Sequence, residues 1–297
     1  MQNKTRTKAI VYLVITAILW SLGGLLIKSV NSSSMAIAGV RSGISALMIM
    51  AVTGRPKMKL SAVKLCTALA YAGTVILFVC ANKNTTAANA ILLQYTAPVY
   101  VAFLGSWLLK EKVKLLDGIT IFMVIGGMVL FFLDDIDISG FWGNIMAALS
   151  GIAFALFAVF MRMQKNGSPI ESVLLGNILT AVIGIPFIFG SMPDTKSWVY
   201  LVVLGTVQLG LPYILYSKAI KHVTALEASL IPVLEPILNP VWVLLLMNEV
   251  PGKWALIGGL IVLLSVTGRC ILSIRSTGTD MSAGAEEKAG DGTSVSS

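Results

Sequence analysis

The chain has 297 residues, of which 56% are hydrophobic and only 12% charged, and its formal net charge is +8. Soluble globular domains carry about 25% charged residues, so this composition excludes a water-facing surface over most of the length. The net positive charge does not indicate a nucleic-acid binder, because the Lys and Arg residues sit between apolar segments rather than along one face.

Apolar stretches of about 20 residues, the length that crosses a hydrocarbon core roughly 30 Å thick, recur with short breaks. The sequence predicts ten spans, near residues 9–29, 35–52, 64–82, 86–109, 115–133, 141–162, 171–190, 198–219, 224–247 and 253–274. The first follows Lys4, Arg6 and Lys8 in the manner of a signal peptide. It is nevertheless long enough to span and has no Ala-x-Ala exit before the next apolar run, so it reads as an uncleaved helix behind a short N-terminal segment, residues 1–8. Residues 276–297, rich in Gly, Ser and Ala and without an apolar run, read as a disordered tail. Cys66, Cys80 and Cys270 fall in or beside apolar segments with no CxxC pair, which argues against a disulfide framework or a zinc site.

Basic residues favour the cytoplasmic side in short loops. With both termini inside, seventeen of the 22 Lys and Arg fall in cytoplasmic segments, among them Lys110, Lys112, Lys114, Lys218 and Arg275. Only Lys28, Lys83, Lys196 and Lys253 fall outside, and the loop after the fifth span carries Asp134, Asp135 and Asp137. An even span number accounts for this asymmetry, whereas nine spans would invert the later loops.

The chain also repeats itself. Thr86-Ala87-x-x-Ala90-x-Leu92, Pro98, Leu108 and Glu111 recur 138 residues later as Thr224-Ala225-x-x-Ala228-x-Leu230, Pro236, Leu246 and Glu249. Earlier, Trp20-x-Leu22 with Lys28 is echoed at an offset of 134 by Phe154-x-Leu156 with Arg162. Five spans per copy is an odd number, so the second copy, residues 137–275, enters the membrane from the side opposite to the first, residues 9–136. The expected fold is an all-α polytopic membrane protein of ten transmembrane helices in two inverted five-helix repeats. Inverted repeats suit a carrier, because exchanging the packings of the twins alternates access between the two faces.

These residues resemble the drug/metabolite transporter superfamily, specifically its EamA-type ten-helix members. The resemblance rests on Ala90-Ile-Leu-Leu-Gln94-Tyr-Thr-Ala-Pro98 closing with Leu109-Lys-Glu111, and on Ala228-Ser-Leu-Ile-Pro-Val-Leu-Glu235-Pro236 closing with Met247-Asn-Glu249. Leu19-Trp20-Ser-Leu-Gly-Gly and Arg41 fit the same pattern. Family members commonly place Gly before each closing Glu, where this chain has Lys110 and Asn248. The resemblance implies export or exchange of small metabolites such as amino acids through a central cavity.

The ninth span carries Pro232, Pro236 and Pro240 every four residues. Each lacks an N–H and crowds the preceding turn, so this helix should bend, with the carbonyls of Ala228, Pro232 and Pro236 left without intrahelical donors. Pro98 marks the matching place in the fourth span. Glu227, Glu235 and Asn239 lie on nearly one face of the ninth span, and Glu235 is about 12 residues in, or roughly 18 Å at 1.5 Å per residue. A carboxylate that deep must face the bundle interior. It either binds substrate or couples protons, or it caps freed backbone groups or pairs with Arg41. Arg41, some six residues into the second span, snorkels outward, pairs with a carboxylate, or binds a substrate carboxylate. If Arg41 and Glu235 both line the cavity, they offer opposite charges suited to a zwitterion.

Trp20, Gln94, Tyr95, Gln208, Tyr213 and Tyr216 complete the cavity candidates, with Gln208, Pro212 and Tyr216 recurring every four residues on one helix face. Gly39-x-x-x-Gly43, Gly126-Gly127 and Gly258-Gly259 permit close helix approach. No GxSxG, HExxH, P-loop or dinucleotide fingerprint is present, so neither enzymatic activity nor a cofactor has support. The expectation is a plasma-membrane secondary transporter exporting an amino acid-like or drug-like metabolite, with the lipid bilayer and, through Glu235, protons as its other partners. The alternative is a membrane-embedded protein handling lipids or head groups.

Overall fold

Where no water is available, every backbone N–H and C=O must find a partner within its own segment, which leaves the helix as the form for apolar runs of this length. The structure, a computed structural model, describes residues 2–54, 60–131, 133, 140–238, 253–254 and 256–272. Among the described residues every regular element is helical, with no strand. Among the described residues seven helices are long and apolar enough to cross a membrane: Lys4–Ser29, Ser34–Thr53, Ala62–Asn84, Asn89–Leu108, Phe141–Met163, Pro169–Gly190 and Thr195–Ala219. Two shorter apolar helices, Leu115–Leu130 and Leu256–Leu272, stand at the fifth and tenth positions. The ninth begins with Ala225–Leu230 and Ile231–Val233 and runs on through residues 234–238. Asn239, Pro240, Asn248, Glu249 and the tail expected at 276–297 lie outside the described residues.

The outward faces of the bundle are apolar. Phe103, Phe122 and Phe189 are 70%, 76% and 82% exposed, an arrangement that acyl chains tolerate and water does not. Polar caps mark several helix starts: Ser33 accepts from Ala36 N–H, Thr86 from Asn89 N–H, and Thr224 forms a capping box with Glu227.

The helices pair across the two repeats. The third packs along the sixth and the first along the eighth, which is the same contact made from the other copy; the second meets the seventh and the fourth meets the ninth, each its own counterpart. Small residues make these approaches close. A Cβ on Gly184 would lie 2.6 Å from the Cα of Gly39, where the second and seventh helices touch, and one on Gly127 would lie 2.8 Å from Val262 Cγ2, where the fifth meets the tenth. This reciprocal pairing is the signature of an approximate two-fold axis running between the repeats, as five-helix copies of opposite polarity require.

Around that axis the helices are interrupted. The fourth stops at Gln94 and resumes at Ala97, with Pro98 in the new first turn where its missing N–H is harmless. The ninth narrows to a 3₁₀ turn over Ile231–Val233, at the position that an offset of 138 residues assigns to the break at Tyr95. In the eighth, Pro212 cannot donate to the carbonyl of Gln208, and the segment Leu204–Gly210 widens into a π turn in which Leu211 N–H bonds Thr206 O.

Candidate functional site

The interruptions converge on a small central cavity of about 50 Å³, lined by Trp20, Arg41, Thr74, Val75, Phe78, Gln94, Tyr95, Phe154, Gln208, Leu209, Tyr213 and Glu235. Both repeats contribute walls. Seven residues singled out in the sequence stand on this surface: Trp20, Arg41, Gln94, Tyr95, Gln208, Tyr213 and Glu235. Tyr216 does not. The π turn adds a residue to the helical period, so Tyr213, five residues after Gln208, shares its face instead. Tyr216 is fully buried behind Trp20 and Phe157, with ring centroids 5.8 Å from each.

Sequence reasoning missed Thr74, Val75, Phe78, Phe154 and Leu209, although a signal for four of them was present. The 134-residue offset that relates Trp20 to Phe154 also relates Thr74 to Gln208 and Val75 to Leu209, and all six line the cavity. The twin rings of Trp20 and Phe154 meet edge-on at 6.0 Å.

Two charged side chains are buried here without meeting each other. Arg41 is 2% exposed; its Nη1 donates to Gln208 Oε1 at 3.2 Å, and its Nε has no partner. No carboxylate among the described residues comes within ion-pair distance of it. Glu235 is 7% exposed and accepts from the Tyr95 hydroxyl at 2.5 Å. The same hydroxyl lies 2.9 Å from the carbonyl of Pro232, which Pro236 cannot bond because it has no N–H. Tyr95 of the fourth helix therefore repairs a backbone gap in its counterpart, the ninth. The hydroxyl has one hydrogen for two acceptors. When Glu235 carries a proton it can donate to the Tyr95 oxygen and leave that hydrogen to Pro232, and every group is satisfied.

Below the cavity, toward the end of the bundle that bears Lys4 and Arg6, the aromatic rings close ranks. Tyr213 packs 5.1 Å from Trp20 and 4.8 Å from Tyr71, and Phe157 packs 5.5 Å from Tyr71. Beyond this layer, four ion pairs tie one repeat to the other: Arg6 with Glu227 at 2.5 Å, Asp117 with Arg269 at 2.6 Å, Glu111 with Arg162 at 2.9 Å, and Lys64 with Glu171. Glu111 also accepts from Ala225 N–H, and Arg162 Nη1 donates to the carbonyls of Ile220 and Lys221. Aromatic layer and ion pairs together stand between the cavity and this basic end. The described residues hold no group of three or more His, Cys, Asp or Glu able to bind a metal ion.

Comparison with known proteins agrees with this architecture. An uncharacterized transporter of Archaeoglobus fulgidus is 26% identical over 261 residues, covering 86% of this chain and 93% of that protein. Solute carrier family 35 member G1 of Mus musculus is 25% identical over 217 residues, covering 66% of this chain and 58% of its own length. A crystal structure of another protein superposes with a TM-score of 0.76 at 17% identity, covering 91% of this chain and 98% of that one, a likeness of fold. The EamA-like transporter family matches twice, at residues 7–133 and 141–268, one match to each five-helix repeat. With both repeats matched, this multi-span membrane protein belongs to the EamA-like transporter family.

Proposed function

We propose that the chain is a gradient-driven secondary carrier of the plasma membrane that moves a small polar or amphiphilic metabolite outward by alternating access. The observation that supports this reading best is the central cavity, walled by paired residues of two inverted repeats and holding a buried carboxyl group at a helix break. Positive-inside asymmetry orients both termini to the cytoplasm, so the end that carries the ion pairs is the cytoplasmic one.

Glu235 is the proton-coupling group of this reading. The titratable groups around it are the hydroxyls of Tyr95 and Tyr213 and, on the same cavity wall, the guanidinium of Arg41. Binding and loss of one proton would switch the shared hydrogen of Tyr95 between Glu235 and Pro232, and with it the bend of the ninth helix.

The test has two stages. Mass-spectrometric comparison of media from cells with and without the protein identifies exported compounds, and the purified protein in liposomes then moves the strongest of them under an imposed pH gradient. Glu235→Gln is expected to abolish gradient-driven accumulation while leaving downhill exchange. Accumulation that survives in Glu235→Gln would overturn the coupling role, and the absence of any protein-dependent flux would overturn the carrier reading.

A further inference from the structure

Arg6, Lys64, Arg162 and Arg269 at the basic end of the bundle are each held by a carboxylate. A groove at the same end gathers cations that are not. It measures about 500 Å³, lies between the first helix and the end of the eighth, and has Lys4, Lys8, Tyr12, Lys218 and His222 in its lining. No carboxylate lines it, and among the described residues none comes within ion-pair distance of Lys4, Lys8 or Lys218. Lys8 Nζ lies 5.6 Å from the centroid of the Tyr12 ring, a contact that holds a cation without neutralising it. The first helix adds to the imbalance. Its first turn carries no acidic residue, although the helix dipole makes that end attractive to anions and unfavourable for lysines. Beyond the basic rim both walls continue as apolar stripes. Residues 4, 8, 11, 15 and 18 share one side of the first helix, and Val11, Ile15 and Ile18 are exposed there. On the eighth, Lys218 is followed along the same side by half-buried Leu215 and exposed Leu211. Thr16 Oγ1 donates to the carbonyl of Pro212 at 3.3 Å, which sets the two stripes at the same depth.

We infer that this groove binds an anionic phospholipid, with the headgroup phosphate among Lys4, Lys8, Lys218 and His222 and the acyl chains along Val11, Ile15 and Leu211. Lysine ammonium groups hold phosphate as point charges, and basic pockets between helices at the bilayer surface suit anionic headgroups. Tyr12 supplies the amphipathic ring that favours the level of the headgroups. A soluble anion would use the lysines and leave the apolar stripes idle; a lipid uses both. The first helix belongs to the first repeat and the eighth to the second, so a lipid seated here bridges the repeats. The groove shares no lining residue with the central cavity, and its occupant does not depend on what that cavity carries.

Thermal unfolding of the full chain purified in a neutral detergent, at constant ionic strength, tests this. A ligand that binds only the folded state raises the midpoint in a concentration-dependent way. Dioleoylphosphatidylglycerol is expected to raise it. Dioleoylphosphatidylcholine, which has the same chains and no net charge, and glycerol phosphate, which has the charge and no chains, are not. Lys218→Gln is expected to weaken binding of the anionic lipid about fivefold, and Lys4→Gln, Lys8→Gln and Lys218→Gln combined about a hundredfold. Lys112→Gln, Lys114→Gln and Lys165→Gln combined remove the same charge from exposed positions outside the groove and should leave the response as in wild type. Equal shifts by the two lipids, a full response in the groove variant, or a loss in the control variant as large as in the groove variant would each overturn the proposal. Glycerol phosphate matching the anionic lipid would overturn the lipid as occupant. Native mass spectrometry covers the case in which the combined variant does not fold. Wild type is expected to retain one phosphatidylglycerol per chain and Lys218→Gln, altered only at an exposed side chain, to retain less; equal retention by the two proteins, or of the two lipids by wild type, would overturn the site.

Discussion

At the basic end of the bundle, Arg269 is held by Asp117 at 2.6 Å with Glu227 a further contact at 3.8 Å, and its side chain keeps 15% of its surface in contact with solvent. In the centre, Arg41 is 2% exposed and has a single amide oxygen. The deeper guanidinium is thus the less compensated one, the reverse of what stability alone would select. The difference separates two uses of charge in one membrane protein. Paired charges fasten the repeats together at the basic end, and a charge with no carboxylate partner among the described residues is kept at the cavity wall.

The contrast predicts that arginine substitutions at the two places have opposite signs. Arg269→Leu strands Asp117, whose side chain is 4% exposed, and breaking a buried pair by removing one partner typically destabilises by about 3 kcal/mol or more. A matching fall in the unfolding free energy in detergent micelles is the expected result, and Asp117→Leu added to Arg269→Leu should recover most of it. If the single variant unfolds like wild type, the ion pairs are not fastening anything.

Arg41→Met is expected to move the other way. Replacing a buried ion that has no counter-charge among the described residues by an apolar side chain of similar volume is expected to stabilise by about 1–2 kcal/mol, read as a rise in the unfolding free energy in detergent micelles. A loss of stability as large as that of Arg269→Leu would mean that Arg41 has a structural counter-charge, and the comparison would collapse.

How much of this was readable beforehand depends on which physics wrote it. Helix lengths are dictated by bilayer thickness, so the ten spans and their limits follow from counting apolar residues, and the described helices agree with them within a few positions. Arg41 and Glu235 stood out because a charge in an apolar run is costly enough to need a reason. Thr74, Val75 and Leu209 did not, since each is ordinary in a membrane helix and becomes notable only through its repeat partner. Tyr216 was misplaced for a different cause. A four-residue period assumes an unbroken α-helix, and the π turn ahead of Pro212 shifts every later residue around the axis. The helix pairs were also hidden, because contacts such as Gly39 with Gly184 depend on absent side chains.

A smaller prediction concerns the turn that delivers Glu111 to Arg162. Lys110 has φ of +54°, the left-handed conformation, and its geometry lets Glu111 N–H reach back to Gly105 O at 3.2 Å. Side chains with a Cβ are strained there by about 1–2 kcal/mol, which is why Gly is the usual residue at such helix ends. Lys110→Gly should raise stability by roughly 0.5–1 kcal/mol, the lysine's favourable interaction with the helix C-terminus offsetting part of the gain. A decrease would show that the charge outweighs the strain and that the basic end relies on more than its four pairs.

The smallest effect belongs to the opposite end of the bundle, where a carboxylate is satisfied by backbone instead of a cation. Asp194 caps the helix beginning at Thr195, accepting from Ser197 N–H at 2.7 Å. That hydrogen bond, assisted by the Ser197 side chain and more weakly by Lys196, holds the carboxyl below its ordinary value of 3.8. A depressed folded-state value means that the stabilisation is complete above the unfolded-state value and disappears as the pH falls through the folded one. The cap therefore helps at neutral pH and fails only in acid, below about pH 4. Asn caps a helix about as well as Asp but does not titrate. Asp194→Asn should thus match wild type at neutral pH and unfold less readily than wild type in acid, as read by parallel melts across that range. If the two proteins lose stability in parallel on acidification, the cap is not held by the ionised carboxylate, and the outer end follows the same rule as the paired charges of the basic end.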